Sequence, residues 1–423
     1  MPRIAEIGIP WNETRELPAR RLKVLEMSRS FPNNVLQLHG LWVERLVQHL
    51  AVACDLKVIA PVQYCPPIPL LPAYYRRFRE IEERSWSGHV EVLHPRFLVG
   101  PGTRFHFLES ATYYSGVIGC LDRLRRDFPF ELIHAHHSYP DGAVAARLSR
   151  RYGVPFIITE QSPWLPWMAQ PGLVSQKALW AAGQSARVVA ISQSVFREVV
   201  SLTRTPGKIV VIPDGVDGNT FSPSESGNNW NPDQILFVGF INYVKGFDVL
   251  LHALRRLIER RPSTRLVVVG GSYYRGKRIL EDQLRQMVVD LGLTEWVEFV
   301  GTLSLPKLVQ TMRESALLVL PSRSESFGSV LVEALACGTP VVATRCGGPE
   351  DIVQDGVGVL VPKEDPDALA AGLEEVLANR SSYAPDRLRA HALDRFGWDH
   401  VARQYVDLFE ETLATTCESP REE

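Results

Sequence analysis

Cysteine pairs, long apolar runs and a dominant charge are all missing from this sequence. The six cysteines (Cys54, Cys65, Cys120, Cys337, Cys346 and Cys417) are scattered, with no C-x-x-C pair. That argues against a zinc ribbon or a disulfide framework and for a reduced chain. No stretch approaches the roughly 18–20 consecutive apolar residues that a membrane-spanning helix needs. The opening MPRIAEIGIPWNETRELPARR has no long apolar run either, so neither a signal peptide nor an anchor is expected. A formal net charge of −2 argues against nucleic acid or another polyanion as a general partner. The expectation is a soluble, cytoplasmic protein with room for peripheral contact at the inner membrane face.

What is present is ordinary globular composition, 45% hydrophobic and 22% charged over 423 residues. That length exceeds what one core usually serves, so two domains are expected. Short Val- and Ile-rich runs alternate with helix-length amphipathic stretches. In the first half the candidate strands are 21–28, 56–62, 130–137, 155–161, 186–192 and 208–213, with helical segments such as LWVERLVQHLAVA and DGAVAARLSRRYG between them. The stretch 214–232, DGVDGNTFSPSESGNNWNP, is dense in Gly, Asn, Ser and Pro and reads as a linker. The alternation then restarts at 234–240, 265–271, 297–301, 316–322, 340–345 and 358–362. Near-continuous apolar runs suit parallel strands covered on both faces, and their order suits doubly wound α/β sheets. The expected organisation is an N-terminal domain over 1–213, the linker, a C-terminal domain over 233–396, and a helix and tail over 397–423 that cross back to the N-terminal domain. Open α/β sheets bind ligands at the carboxyl ends of their strands, so a site in an interdomain cleft is expected. Residues 63–105, rich in Pro, aromatics and Arg, fit neither pattern. They read as a surface insertion whose rings pack back on the domain, or as a flap touching an acceptor or an anionic bilayer.

The segment PSRSESFGSVLVEALACG, residues 321–338, carries the chemistry. A strand ends there, a turn follows, and a helix begins. Glu325 falls in the turn and Glu333 about a turn and a half inside the helix. Gly328 leaves room for close approach to the backbone, and the helix start offers N–H groups to an anion. Three readings compete. Glu325 can merely favour the helix dipole while Glu333 is a solvated surface residue, as most such pairs are. The two can be the acid and nucleophile of a glycosidase, although a carboxylate inside a helix cannot easily face its partner across one sugar bond. Or each can hold its own vicinal hydroxyls, with the helix start between them suited to a diphosphate.

The longer pattern favours the third reading. ESFGSVLVEALACGTPVVATRCGGPEDIVQDGVGVLVP resembles the donor-site signature of the family 4 retaining glycosyltransferases of GT-B fold, which have two Rossmann-like domains facing a cleft. IPDGVDGNTFSP resembles that family's linker, and VGFINYVKGFDVLLHAL its V-G-R-L-x-x-x-K-G segment. At the front, SFPNNVLQLHGLWVERLVQHLA and ELIHAHHSYPDGAVAARLSRRYGVP are similar to bacterial members that build capsule, teichuronic and exopolysaccharide chains. The resemblance spans about residues 22–410 and is most specific in the second half.

It implies a metal-independent enzyme without a cofactor. Such an enzyme moves a sugar from a nucleoside diphosphate donor to a glycan or lipid-linked glycan acceptor, with retention. Glu325 would contact donor-sugar hydroxyls, and the backbone of Ser326, Phe327 and Gly328 would lie against sugar and diphosphate. Glu333 would take the ribose hydroxyls. Lys245 would pair with the diphosphate, beside Gly239 and Phe240 of the same segment, and Gly40 would let the first helix start approach the phosphate. A fixed ammonium and aimed N–H donors can stabilise a departing diphosphate without a metal ion. Taken alone, Lys245 is more often a solvated loop lysine and Gly40 an ordinary turn glycine.

Two departures stand out. Phe240 replaces an arginine that often follows the glycine of V-G-R, a contact worth roughly 1.5–3 kcal/mol; Arg275, Lys277 or Arg278 are candidates to substitute. Gln161 stands where many relatives have the histidine of T-x-H. It can hydrogen-bond a sugar hydroxyl but cannot take on charge. In the mechanism usually proposed for the family the leaving phosphate oxygen deprotonates the acceptor, so this loss bears on rate or donor choice more than on reaction type. His134 and His136 share a strand face, and His137 points the other way. No companion carboxylate or thiol cluster is evident for a metal, so they read as structural groups or as acceptor-side loop lining. A rival reading is a catalytically silent nucleotide-sugar-binding scaffold, favoured by Phe240 and Gln161. A phosphorylase would need a pyridoxal-bearing lysine and a longer chain.

Overall fold

Every segment read above as a strand overlaps one in the computed structural model, which describes residues 20–37, 39–66, 73–99, 105–161, 172–224, 230–271 and 279–418. The chain forms two units. One holds residues 1–191, 195–212 and 401–423, the other 192–194 and 213–400.

In the first unit the strands are β1 (Leu22–Met27), β2 (Cys54–Ile59), β3 (Val62–Gln63), β4 (Arg84–Ser87), β5 (Val90–Leu93), β6 (Arg96–Phe97), β7 (Leu132–His136), β8 (Phe156–Glu160), β9 (Arg187–Ala190) and β10 (Ile209–Val211). Eight of them make one sheet in the order β10-β9-β8-β7-β1-β2-β5-β4, parallel except for the β4–β5 pair. Every residue of β7 and β8 is buried, which is why their sequences lack the polar alternation of a half-exposed sheet. The helix Leu41–Ala53 buries Val43, Leu46, Val47 and Leu50 at three- and four-residue spacing, one apolar face against the sheet.

Residues 63–105 are not a flap throughout. β5 pairs with β2, Lys57 opposite Glu91, and β4 closes the edge as an antiparallel hairpin through Gly88 at φ 58°. The segments RSWS and VEVL are too short and too polar to show as strands by periodicity. Residues 67–72 and 100–104 of that stretch lie outside the described residues.

The second unit holds β11 (Asn231–Val238), β12 (Arg265–Val269), β13 (Val297–Gly301), β14 (Ser315–Leu320), β15 (Val341–Arg345) and β16 (Gly358–Pro362), all parallel, in the order β13-β12-β11-β14-β15-β16. The helix Phe247–Arg260 buries Leu250, Ala253, Leu254 and Leu257 and turns Arg255, Arg256 and Glu259 outward. Phe247 packs edge-on against Phe237 at 5.3 Å between centroids. Burying such a ring contributes about 1.5–3 kcal/mol.

The stretch read as a linker is pinned where it is described. Phe221 is 1% exposed, and Arg389 donates to the carbonyls of Gly218 and Phe221 at 2.8 Å each. Val216 bridges to Gly397. Where it is described, the stretch is therefore held by these contacts. The helix Trp398–Glu418 contributes its residues from Val401 onward to the first unit.

Candidate functional site

The strand orders locate the sites. In the second sheet the chain leaves β11 toward β12 on one side and resumes at β14 on the other. The loops after β11 and β14 therefore diverge and leave a crevice at their carboxyl ends. Those two loops carry Gly239, Phe240 and Lys245, and Glu325 through Gly328. Lys245 Nζ lies 2.7 Å from Glu325 Oε2, and Ser322 Oγ donates to the same oxygen at 3.0 Å. The two predicted side chains, eighty residues apart, meet. Both are largely covered, with 24% and 15% of their side chains exposed, so the pair is shielded from water without being sealed.

The loops are locked together by contacts that sequence reading missed. Arg323 forks onto Asp248, Nη1 to Oδ1 at 2.7 Å and Nη2 to Oδ2 at 2.8 Å. It also donates to Glu364 at 3.0 Å and to the Tyr243 carbonyl at 2.5 Å. Its backbone N–H donates to the Val244 carbonyl at 2.8 Å. Gly246, at φ 64°, caps the helix Phe247–Arg260; a Cβ there would lie 1.9 Å from the Pro321 carbonyl oxygen. Only glycine permits that approach, and it brings Lys245 to Glu325. Asn242 Oδ1 accepts from Lys245 N–H at 2.8 Å. A K-G pair after a strand and an S-x-x-E after another were the available signals.

Gly328, at φ 101°, opens the helix Ser329–Ala336. Glu333 is half-buried within it. Phe327 corrects a simple picture of the loop: its ring is 3% exposed and packs edge-on against Phe396 at 5.5 Å. The side chain anchors the loop while Gly348 presses on its backbone, where a Cβ would lie 2.3 Å from Phe327 Cα. The Glu325 carbonyl accepts from Gly348 N–H at 2.8 Å. Burial pushes the neighbouring Cys346 thiol up to about 11, so it carries no thiolate near neutrality. Phe240 is 42% exposed. Arg275, Lys277 and Arg278 lie outside the described residues.

In the first sheet the corresponding switch lies between β1 and β7. Gly40, at φ 76°, caps Leu41–Ala53, and a Cβ would lie 2.0 Å from the Ser30 carbonyl oxygen. Gln161, just past β8, accepts from Trp42 Nε1 at 2.7 Å, so it sits at that helix start.

Of the two readings of His134 and His136, as structural groups or as acceptor-side lining, the structure fits the first. Both are fully buried, so neither lines an acceptor loop. The companion carboxylate that the sequence hid is Glu26 of β1. Its Oε2 lies 2.9 Å from His134 Nδ1 and 3.1 Å from His136 Nε2. The three ligand-type groups stand within reach of one another, but their facing atoms are spent on hydrogen bonds between them. His134 Nε2 continues to Thr159 Oγ1 at 2.8 Å, which meets Tyr405 OH at 3.1 Å. Burial raises Glu26, but the two histidines more than offset it and hold the carboxyl at about 2. Burial lowers His136 to about 4, keeping that ring neutral.

Comparison with known proteins places the chain by family and fold. Residues 219–392 match the family model described as glycosyl transferases group 1, and residues 40–219 the model described as glycosyltransferase family 4. A D-inositol 3-phosphate glycosyltransferase of Frankia alni is 34% identical over 315 residues, covering 67% of this chain and 75% of that protein. An uncharacterized glycosyltransferase of Methanocaldococcus jannaschii is 28% identical, covering 74% and 83%. Among solved structures, sucrose-phosphate synthase of Thermosynechococcus elongatus superposes with a TM-score of 0.74 at 20% identity, covering 93% of this chain and all of that one. Anabaena HepE in complex with UDP gives 0.70 at 20% identity, again over 93% and 100%.

Proposed function

This chain belongs to the family 4 glycosyltransferases of GT-B fold, and on that premise we propose that it moves a glycosyl group from a nucleoside diphosphate sugar to a hydroxyl of a glycan or lipid-linked glycan, with retention and without a metal ion. The observation that carries this is the Lys245–Glu325 contact at the β11/β14 switch point. An ammonium and a carboxylate held together there suit the two ends of a sugar diphosphate. Lys245 faces the phosphates and Glu325 the hydroxyls. The N–H groups at the start of Ser329–Ala336, which follows the buried, left-handed Gly328, suit an anion.

In this mechanism the bond from the anomeric carbon to the phosphate oxygen breaks. The acceptor oxygen bonds to the same face, and its proton passes to the departing phosphate. Lys245 stabilises the charge that develops on that phosphate, while Glu325 orients the sugar. Glu333 takes the ribose hydroxyls. HepE, which shares the fold, has been crystallised with UDP and with UDP-glucose, which supports a uridine donor as the first to try.

Cell-surface polysaccharide synthesis is the setting we favour. The curated relatives named for D-inositol 3-phosphate make a phosphorylated cyclitol the competing acceptor. Among the described residues no helix is long and apolar enough to cross a membrane. Exposed Trp86, Tyr75 and Leu98 near exposed Arg76 and Arg79 in sequence support peripheral contact with the inner face. A catalytically silent scaffold is the second reading, favoured by Phe240 where a cation would be expected.

The test is a thermal-shift panel of UDP, GDP, ADP and their sugars, with and without magnesium. One base family should raise the melt without metal, and Glu333→Ala should remove the rise. Transfer should then fail in Glu325→Ala. A protein that no nucleotide shifts overturns the transferase reading in favour of the scaffold.

A further inference from the structure

The extension of the first sheet by β5 and β4 creates a space of its own. Antiparallel pairing sets Trp86 opposite Glu91 and Arg84 opposite Leu93, and parallel pairing sets Lys57 opposite Glu91. Paired residues point the same way, so these side chains share one face of the sheet. The helix Leu41–Ala53 covers the other face, where Gln48 donates to Ser87 Oγ at 3.0 Å and Ser87 Oγ donates to Glu44 Oε1 at 2.9 Å. On the Trp86 face the neighbour is the helix His106–Asp127. Between that helix and the extended sheet lies a cavity of about 890 Å³, the size that small-molecule sites have.

The helix wall of this cavity is built from small residues for two different reasons. At Gly116 a Cβ would lie 2.5 Å from the Arg96 carbonyl oxygen, so the close approach of backbone requires glycine. Gly119, one turn on, also lines the cavity, and a Cβ there would meet nothing within 4 Å. Glycine inside a helix is less stable than alanine, and no neighbour demands it at this position. What it leaves is space.

The sheet wall is charged but balanced. Glu91 is buried, and its two oxygens are divided between cations: Oε2 accepts from Lys57 Nζ at 2.6 Å, and Oε1 lies 2.9 Å from Arg84 Nε. With Arg96, Arg123, Glu83 and Asp127, four cations in the lining stand against three carboxylates. A phosphate or carboxylate ligand would meet the carboxylates, and an ammonium the cations. A hydroxyl donates to the one and accepts from the other. Beside Lys57, whose Nζ lies 6.0 Å from its ring centroid, the indole of Trp86 is 61% exposed. An open apolar face next to hydrogen-bonding groups matches a pyranose ring, with C–H groups on its face and hydroxyls at its edge.

We propose that the cavity between the β4–β5 hairpin and the helix His106–Asp127 is a binding site for a neutral oligosaccharide, in which the Trp86 indole covers a sugar ring and the Lys57–Glu91–Arg84 row meets its hydroxyls. β5 and β4 stand two and three strands from β1, so the site lies apart from the β1/β7 switch point. It goes beyond the transferase reading and does not depend on it, because binding is read without turnover.

The full-length chain tests this by calorimetric titration with maltohexaose, cellohexaose and N-acetylchitohexaose, in the parent, Trp86→Ala and Gly119→Leu. The parent should bind one of these probes, and the dissociation constant should rise about tenfold or more in each variant. Raising the salt should hardly alter it, since a neutral ligand has no charge to screen. Gly119→Leu should melt no lower than the parent, because leucine is the better helix former. Both variants should keep the parent's melt shift with UDP; a parent that UDP does not shift bears on the transferase reading alone. A parent that binds no probe, or a variant that binds within about twofold of the parent, overturns the proposal. So does binding that weakens steeply with salt, which would make the occupant an anion. Loss of binding to phosphatidylglycerol vesicles in Trp86→Ala, with oligosaccharide binding intact, would give the indole to a bilayer and overturn it as well. Should Gly119→Leu fail to fold, Trp86→Ala alone decides.

Discussion

Gly246 and Arg323 illustrate how single residues bring the loops after β11 and β14 together. Gly246→Ala would put a side chain into a left-handed conformation, at roughly 1–2 kcal/mol, and into the Pro321 carbonyl. We expect a total loss of about 2–4 kcal/mol by urea unfolding, because backbone rather than a flexible side chain must move. Arg323→Lys keeps the charge but loses the fork onto Asp248. The expected loss is about 1–3 kcal/mol. Nucleotide affinity should fall with it, since the same guanidinium holds the Lys245 loop against the Glu325 loop. Unchanged affinity in Arg323→Lys would show that the two loops find each other unaided. Glu325, Glu333 and Lys245 were legible as types at a spacing. Arg323 was not, because an arginine between two serines carries no local sign of the partner it reaches.

At the scale of the element, the buried Glu26–His134–His136 group joins β1 to β7, and Thr159 carries the chain of contacts from β8 to Tyr405 of the C-terminal helix. His134 also packs against Tyr405 and Phe409, each 5.4 Å between centroids. Tyr405→Phe removes one buried hydrogen bond and keeps the ring. A loss of about 1 kcal/mol is expected, with faster amide exchange in the helix as the local readout.

The same group makes stability fall with acid. His136 is neutral in the fold down to about 4 but protonates near 6.5 when unfolded, so its contribution is lost as pH falls from 6.5 toward 4. Glu26 is held at about 2 against an ordinary 4.5, so its contribution is present above 4.5 and lost on the way to 2. Asp141 works the other way. Burial raises it to about 7 from 3.8, so its contribution is present below 3.8 and lost as pH rises toward 7. Melting followed from pH 7 to 4 should therefore fall less steeply in His136→Gln than in the parent, and more steeply in Asp141→Asn. A slope unchanged in both would mean these groups do not set the acid limb. Glu26 was invisible in the sequence as a partner. It sits in the apolar run LKVLEM, and nothing local says that two histidines more than a hundred residues away will face it.

For the whole molecule, two units with separate sheets make a single unfolding transition a matter for measurement. A nucleotide bound at the β11/β14 switch stabilises the unit that carries it. At a hundred times its dissociation constant it should add about 2.7 kcal/mol. If calorimetry resolves two transitions, only one should move with nucleotide, and it should be the one that Gly246→Ala lowers. Movement of the other transition alone would place the nucleotide in the first unit.

The order of strands and helices, the α/β class, the family and the residue types of the proposed donor site were all legible in the sequence, because each rests on local periodicity or on motif spacing. Three-dimensional packing alone decided that β11 adjoins β14, that β5 and β4 extend the first sheet, that the supposed linker is pinned by Arg389, and that His134 and His136 face Glu26 rather than solvent. It also decided that Lys245 meets Glu325. Those facts depend on which distant segments become neighbours once apolar strands are buried, and the spacing of residues along one chain does not encode that.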